Sequence, residues 1–170
     1  YIYGGINQPG PTGPSTSYLT TTDTWNGSSW GSGPALAEAQ SNAGSAGTPS
    51  AIVLMGGAGP PGTNGDNIQQ YNGSWASSPV NYPTLIQSLA GSGTQTAALS
   101  YGGRLAGSKN AIGMVYDGTA WATSPNLGTA RDAIALGPMG STTNALATSG
   151  AGGAGLVEEF TGETSAANYK

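Results

Sequence analysis

Apolar runs in this chain are short and end in glycine. "YIYGG" closes at Gly5, "IVLMGG" at Gly57, "AALSYGG" at Gly103 and a weaker copy, "ALATSG", at Gly150, at intervals of 52, 46 and 47 residues. Each run is too short for a helix and is bounded by Gly, Pro, Ser or Asn, the pattern of a buried strand. A second pattern follows in the same period. An aromatic residue, a turn dipeptide and a tryptophan recur in "DTWNGSSW" from Asp23, "QQYNGSW" from Gln69 and "MVYDGTAW" from Met114. "EEFTGETS" from Glu158 keeps the aromatic but not the tryptophan. The turn glycines are Gly27, Gly73, Gly118 and Gly162, spaced by 46, 45 and 44 residues. The aromatics before them are Trp25, Tyr71, Tyr116 and Phe160; the tryptophans after them are Trp30, Trp75 and Trp121. Asn-Gly or Asp-Gly between two strands predicts a type I′ hairpin turn, with positive φ at both central positions.

A third match, "NAGSAGTPSA" from Asn42 against "SLAGSGTQTA" from Ser88, precedes the Gly-pair strand. Each unit therefore reads as four short strands. A small-residue strand and a tight turn such as "TQ" lead to the apolar strand that ends in the Gly pair. A variable loop leads to the aromatic strand, and the Asn-Gly or Asp-Gly turn to a last strand such as "SWASSP". The repeats span residues 1–34, 35–80, 81–126 and 127–170 of a single domain. Small residues and Gly pairs fit a crowded centre where backbones approach closely, and the aromatics fit a wider periphery. A period near 45 residues with four strands per unit predicts an all-β fold, a β-propeller whose four-stranded antiparallel blades bury their faces by stacking. A β-solenoid, with shorter and parallel rungs, fits less well. The first unit lacks its small-residue strand, so 15 strands are expected. Four blades lie at the low end for propellers, which favours a segment of a longer array over a compact four-bladed ring.

Composition narrows the partners. Charged residues make up 7% of the 170 residues, against about 25% in ordinary soluble domains. Gly (30 residues) and Pro (11) are abundant, but their periodic placement argues for turns rather than disorder. The net charge is −4, and the basic residues Arg104, Lys109, Arg131 and Lys170 form no cluster along the chain. A nucleic-acid partner, which needs a basic groove, is therefore not expected. No apolar run approaches the ~18 residues of a membrane span, and no leader peptide is visible. Cysteine is absent, so no disulfide framework is predicted. A surface of Ser, Thr, Asn and Gly with few charges fits an extracellular or virion protein.

These repeats resemble the kelch family. Kelch blades carry a Gly pair at the end of the second strand, here Gly4-Gly5, Gly56-Gly57 and Gly102-Gly103, then a Tyr (Tyr71, Tyr116) and a Trp (Trp30, Trp75, Trp121). The aromatic and the Trp stand closer together than in the family pattern. The Asn-Gly turns with "AGSGTQTAALSYGG" are more similar to kelch-like arrays in structural proteins of aquatic bacteriophages. This resemblance implies a propeller in a virion component such as a tail fibre, assembled with other subunits and displaying loops toward a host-surface glycan or protein. Two other readings stand beside it: the propeller part of a secreted carbohydrate-active enzyme of the galactose-oxidase type, and a kelch adaptor that binds another protein. The first needs copper ligands that include His and Cys, which this chain does not have.

Catalysis usually needs a positioned acid or base. The acids are Asp23, Glu38, Asp66, Asp117, Asp132, Glu158, Glu159 and Glu163. Glu158 and Glu159 are adjacent, so on a strand they point to opposite faces; they read as solvated charges, and Asp117 reads as a turn former. "TNGDN" from Thr63 offers oxygens to calcium but reads as a turn, and "GAGGAG" from Gly150 reads as an inter-strand loop. No enzyme activity, cofactor or metal is expected. The repeated aromatics Trp25, Trp30, Tyr71, Trp75, Tyr116 and Trp121 could stack on sugars but are expected to pack buried between neighbouring blades. Partner contacts are expected from the long Pro-Gly loop Ile6 to Ser17, through Asn7, Gln8, Thr12, Ser15 and Thr16. Asn26 and Asn72 match the N-glycosylation pattern, which their turn role also explains.

Overall fold

The computed structural model describes residues 2–7, 17–60, 65–134, 140–162 and 167–169. Among these, every regular element is a strand, and no helix is long and apolar enough to cross a membrane. Four antiparallel sheets follow one another along the chain. The first contains Ile2–Tyr3, Thr22–Trp25 and Trp30–Ser32. The second contains Gly44–Thr48, Ala51–Met55, Ile68–Tyr71 and Trp75–Ser77. The third contains Ala90–Thr94, Ala97–Tyr101, Gly113–Tyr116 and Trp121–Ser124. The fourth contains Ala145–Thr148, Val157–Phe160 and Ala167–Tyr169. In each, strands neighbouring in sequence are neighbours in space. The small-residue strand expected before Ala145 falls outside the described residues; Gly140 forms an isolated bridge with Ala145.

The second, third and fourth sheets stack on apolar faces. Val53, Met55 and Ile68 of the second sheet share a core with Ala98, Met114 and Tyr116 of the third. Leu99 and Tyr101 of the third share one with Ala145 and Ala147 of the fourth. Because side chains alternate along a strand, Ile52 and Leu54 face the other way and pack with Tyr71, Trp75 and Leu36. The glycines on the small-residue strands permit this approach: a Cβ on Gly91 would lie 2.4 Å from the Ser45 carbonyl oxygen of the preceding sheet.

The backbone repeats the same hydrogen bonds at all three junctions. The second glycine of each pair donates to the segment entering the next sheet: Gly5 to the Gln40 carbonyl at 3.0 Å, Gly57 to Ile86 at 2.7 Å and Gly103 to Arg131 at 2.9 Å. The amides of Leu36, Tyr82 and Leu127 donate back to the carbonyls of Thr20, Asp66 and Ala111 at 2.8, 2.7 and 2.9 Å. Asn42, Ser88 and Ala133, one per unit, hold positive φ of 53°, 57° and 50°. They link unit to unit, Ser88 donating to Asn42 at 2.7 Å and Ala133 to Ser88 at 3.1 Å.

The first glycine of each pair has a physical cause. Gly4, Gly56 and Gly102 have φ of 63°, 62° and 66°. A Cβ there would stand 2.0, 2.5 and 2.7 Å from the Gln40, Ile86 and Arg131 carbonyl oxygens of the next unit. In the fourth copy Ser149 keeps the backbone, with φ 56°, and carries a side chain.

Several expectations need correction. The Asn-Gly and Asp-Gly turns are not type I′, because only the glycines have positive φ: 103° at Gly27, 92° at Gly73 and 95° at Gly118. At Asn26 and Asp117 the side chain before the glycine closes the loop instead. Asn26 Oδ1 accepts from the Ser28 and Ser29 amides at 2.9 Å each, and Asp117 Oδ1 from the Thr119 and Ala120 amides at 2.8 Å each. This is an Asx-type turn, which holds Asn or Asp at negative φ. The turn after the small-residue strand is Gln95-Thr96 rather than Thr94-Gln95, because Thr94 pairs with Ala97. The four sheets hold 14 described strands, the fifteenth expected one falling outside the described residues, and five short strands are additional. These are Ile6–Asn7 with Ser17–Tyr18, and Ile86–Gln87 with Arg104–Leu105 and Ser108–Lys109. Arg104 stands directly across the ladder from Lys109, so two of the basic residues do lie together.

Candidate functional site: junction sockets and an open face

The second, third and fourth sheets present their aromatic residues to the segment entering them. In the second unit Leu36 packs with Tyr71 and Trp75, whose rings lie 5.2 Å apart. In the third, Tyr82 meets Trp121 edge-on at 4.7 Å while Tyr116 stacks on it at 4.9 Å. The Tyr82 hydroxyl bonds Ser100 Oγ at 2.9 Å, and burial pushes its pKa up to about 12. In the fourth, Leu127 and Phe160 line one cleft with Glu158.

Four residues after the apolar side chain stands a second buried one, which meets the aromatic strand four residues before its turn glycine. Three chemistries fill this socket. In the second unit Gln69 Nε2 donates to Gln40 Oε1 at 2.7 Å, and Gln40 Nε2 donates to the Gly56 carbonyl and, at 3.4 Å, to that of Asn67. In the third unit Ile86 and Met114 belong to one apolar core. In the fourth, Arg131 Nη2 donates to Glu158 Oε1 at 2.8 Å, with the two side chains 0% and 1% exposed. Arg131 Nη1 also donates to the Ser149 and Leu156 carbonyls at 3.2 Å, the counterparts of Gly56 and Asn67. The Gly128 amide donates to Glu158 Oε2 at 2.6 Å. Glu158 was expected to be solvated. It is buried because this strand position faces the incoming segment in every covered unit.

The first sheet carries the same pattern without a cover. Trp25 and Trp30 pair across the hairpin with ring centroids 5.5 Å apart, yet are 50% and 54% exposed. This corrects the expectation that the repeated tryptophans are buried; Trp75, at 8% exposure, meets it, and Trp121 is half-buried. The reason is geometric: the covering side chain comes from the segment entering each sheet, and here no described residue takes that place. Asp23, two residues before Trp25 on the same face, is exposed too.

The remaining sequence candidates are placed as follows. Asn7 pairs with Ser17 at the base of the Pro-Gly loop; Gln8, Thr12, Ser15 and Thr16 lie outside the described residues. Asp132 bonds Arg104 Nε at 2.6 Å across the third junction. Glu38 accepts from Ser77 Oγ at 2.7 Å and from Asn67 Nδ2, and Asp66 from Asn81 Nδ2 at 3.3 Å. Thr63 and Asn64 of the calcium candidate lie outside the described residues. Residues 149–156 form the turn between Ala145–Thr148 and Val157–Phe160, as read from the sequence. Among the described residues no three His, Cys, Asp or Glu side chains gather in a metal-binding group. Hydrogen bonds to the Ala120 amide, then to Thr119, hold the Asp117 carboxyl below the usual carboxylate range. The socket pairs were not legible from the sequence: Arg131 and Glu158 stand 27 residues apart, and only alignment of the three units by junction reveals the shared position. No family model matches the chain, and no curated protein matches it.

Proposed function

We propose that this chain is a non-enzymatic, kelch-like β-propeller array that serves as a scaffold in an extracellular assembly, a virion component displaying loops toward a host-surface glycan or protein. One observation carries the reading: charged groups of the described residues, buried and exposed, are engaged in architecture. Glu158 neutralises Arg131, Asp132 holds Arg104, and Asp117 closes a turn. Among the described residues nothing comparable is left aimed at a shared point in a cleft, as acid-base chemistry requires. The identical hydrogen bonds at three successive junctions support a stack with a constant step, the arrangement that a propeller closes into a ring. Display is assigned to the Pro-Gly loop, whose base is fixed by the pairing of Ile6–Asn7 with Ser17–Tyr18. A paired comparison tests this reading. Residues 8–16 are replaced by a Gly-Ser linker and, separately, Trp75 by Ala. Melting temperature, attachment to bacterial cells and binding to an oligosaccharide panel are then measured. The loop variant should melt normally and attach poorly, whereas Trp75→Ala should melt earlier. Unchanged attachment without the loop overturns the display role, and turnover of a panel sugar overturns the non-enzymatic one.

A further inference from the structure

We infer that the groove between the third and fourth units is a binding site for a primary carboxamide on a short apolar stem, the side chain of glutamine or asparagine. The evidence is that the preceding junction carries the same groove already plugged by such a group. Gln95, in the turn between Ala90–Thr94 and Ala97–Tyr101, is buried although it stands at a turn. Its Nε2 donates to the carbonyls of Ile52 at 2.9 Å and Tyr71 at 2.8 Å, both in the second sheet. One amide therefore ties the turn to two strands of the neighbouring unit.

Register carries this arrangement to the next junction. Ile52 pairs with Tyr71 as Ala98 pairs with Tyr116, so the Ala98 and Tyr116 carbonyls are the counterparts of the two acceptors. On the other wall, Gly93 pairs with Ala98 as Gly140 pairs with Ala145, and two residues after these glycines stand Gln95 and Thr142. Thr142 ends at its γ atoms and cannot reach across as glutamine does. A cleft of about 380 Å³ is left between Thr142 and the hairpin that holds Val115, Tyr116, Trp121 and Ala122. Small-ligand sites run from about 300 to 1,000 Å³. Both walls are described residues of adjoining units, away from either end of the chain. In the filled copy one nitrogen serves both acceptors, which selects a group with two hydrogens on that nitrogen. A primary carboxamide has them and brings no charge to desolvate. A carboxylate has no hydrogen to give, and it would meet the Asp117 carboxylate, which lines the same cleft. This inference does not depend on the attachment role of the Pro-Gly loop.

The probe is the capped peptide acetyl-Thr-Gln-Thr N-methylamide, residues 94–96, whose sole primary amide is the glutamine side chain. It is titrated into the whole chain while the backbone amide resonances of Ala98, Tyr116 and Thr142 are followed by NMR. Their shifts should saturate in the millimolar range, as suits a contact of few atoms. Gln95→Glu in the peptide should weaken binding about tenfold. Free glutamine separates two sources of the same chemistry: equal binding marks a site for the amino acid, and weaker binding a site for a peptide loop. Thr142→Gln in the protein recreates the plug of the preceding junction. It should abolish binding and raise the melting temperature by about 2–4 °C. The inference is overturned if millimolar peptide leaves these resonances unmoved, or if binding survives Thr142→Gln. It is equally overturned if Gln95→Glu or Gln95→Lys in the peptide binds as well as the parent, or if panel oligosaccharides move these signals and the peptide does not.

Discussion

Replacing the Arg131–Glu158 pair one member at a time, and then together, measures whether the junction sockets are interchangeable. The variants are Arg131→Gln, Glu158→Gln and the double, which recreates the Gln40–Gln69 filling of the second unit. Both charged side chains are fully buried. Arg131→Gln leaves the Glu158 carboxylate with only neutral donors, including the Gly128 and Thr129 amides. Glu158→Gln leaves the guanidinium with the carbonyls of Ala147, Ser149 and Leu156 but no anion. Stranding one buried charge costs about 3–5 kcal/mol, whereas exchanging a whole buried pair for a well-packed neutral one is commonly near neutral. The double variant keeps an amide that can reach the two carbonyls, as Gln40 reaches Gly56 and Asn67. It should therefore return to within about 1–2 kcal/mol of the parent, the allowance being for hydrogen bonds of altered length. At about 2–4 °C per kcal/mol for a chain of this size, each single variant melts about 6–20 °C earlier and the double recovers most of that. Urea unfolding followed by Trp emission, with slopes compared across the cycle, reads these values. If the single losses simply add in the double variant, the sockets are not equivalent and the reasoning fails.

Further outcomes follow from the same geometry. Ser149→Gly relieves a side chain held at φ 56° and should stabilise the chain by about 1 kcal/mol in thermal melts; the reverse change, Gly102→Ala, meets the Arg131 carbonyl and should be clearly destabilising. Trp75→Ala should cost about 3–5 kcal/mol in urea unfolding, while Trp30→Ala, at an exposed position, should leave the midpoint nearly unchanged. The lowered pKa of Asp117 means that its turn contributes stability above the ordinary carboxylate pKa and loses it as pH falls through the lowered value; Asp117→Asn should remove that acid-side dependence in pH-scanned melts while leaving the turn closed. Tyr82 and Tyr101, both raised to about 12 by burial, contribute stability below pH 10 that is lost as pH rises through about 12, so their tyrosinate absorbance should appear together with unfolding.

The sequence announces positions that are the same in every unit for the same reason. Gly4, Gly56 and Gly102 repeat because the next unit's carbonyl excludes a Cβ, and the turn glycines repeat because each turn needs one positive φ. Strand order was readable from these two markers alone. Positions that every unit solves differently are silent. Gln69, Met114 and Glu158 share one structural place but no chemistry, so a search for recurrence passes over them. Exposure was also illegible: Trp30 and Trp75 are the same residue facing the aromatic across its hairpin, and what separates them is the segment that packs on one and not on the other. The fourth unit's Gly140 pairs with Ala145 as Gly47 pairs with Ile52 and Gly93 with Ala98. It escaped notice because Pro138 and Met139 disguise the motif before it.

One set of backbone-to-backbone bonds recurs at each junction between units, whereas each buried socket pair lies within a single segment of the chain. Gln40 and Gln69 fall in residues 35–80, Ile86 and Met114 in 81–126, and Arg131 and Glu158 in 127–170. A duplicated stretch of gene encoding one such segment would bring its matched pair with it and would meet its neighbours through amides and carbonyls that any sequence supplies. Arrays built this way can lengthen, shorten or shuffle their segments with co-ordinated change needed only where a side-chain pair such as Arg104–Asp132 crosses a seam. The price falls on glycine, which must be kept wherever another segment follows.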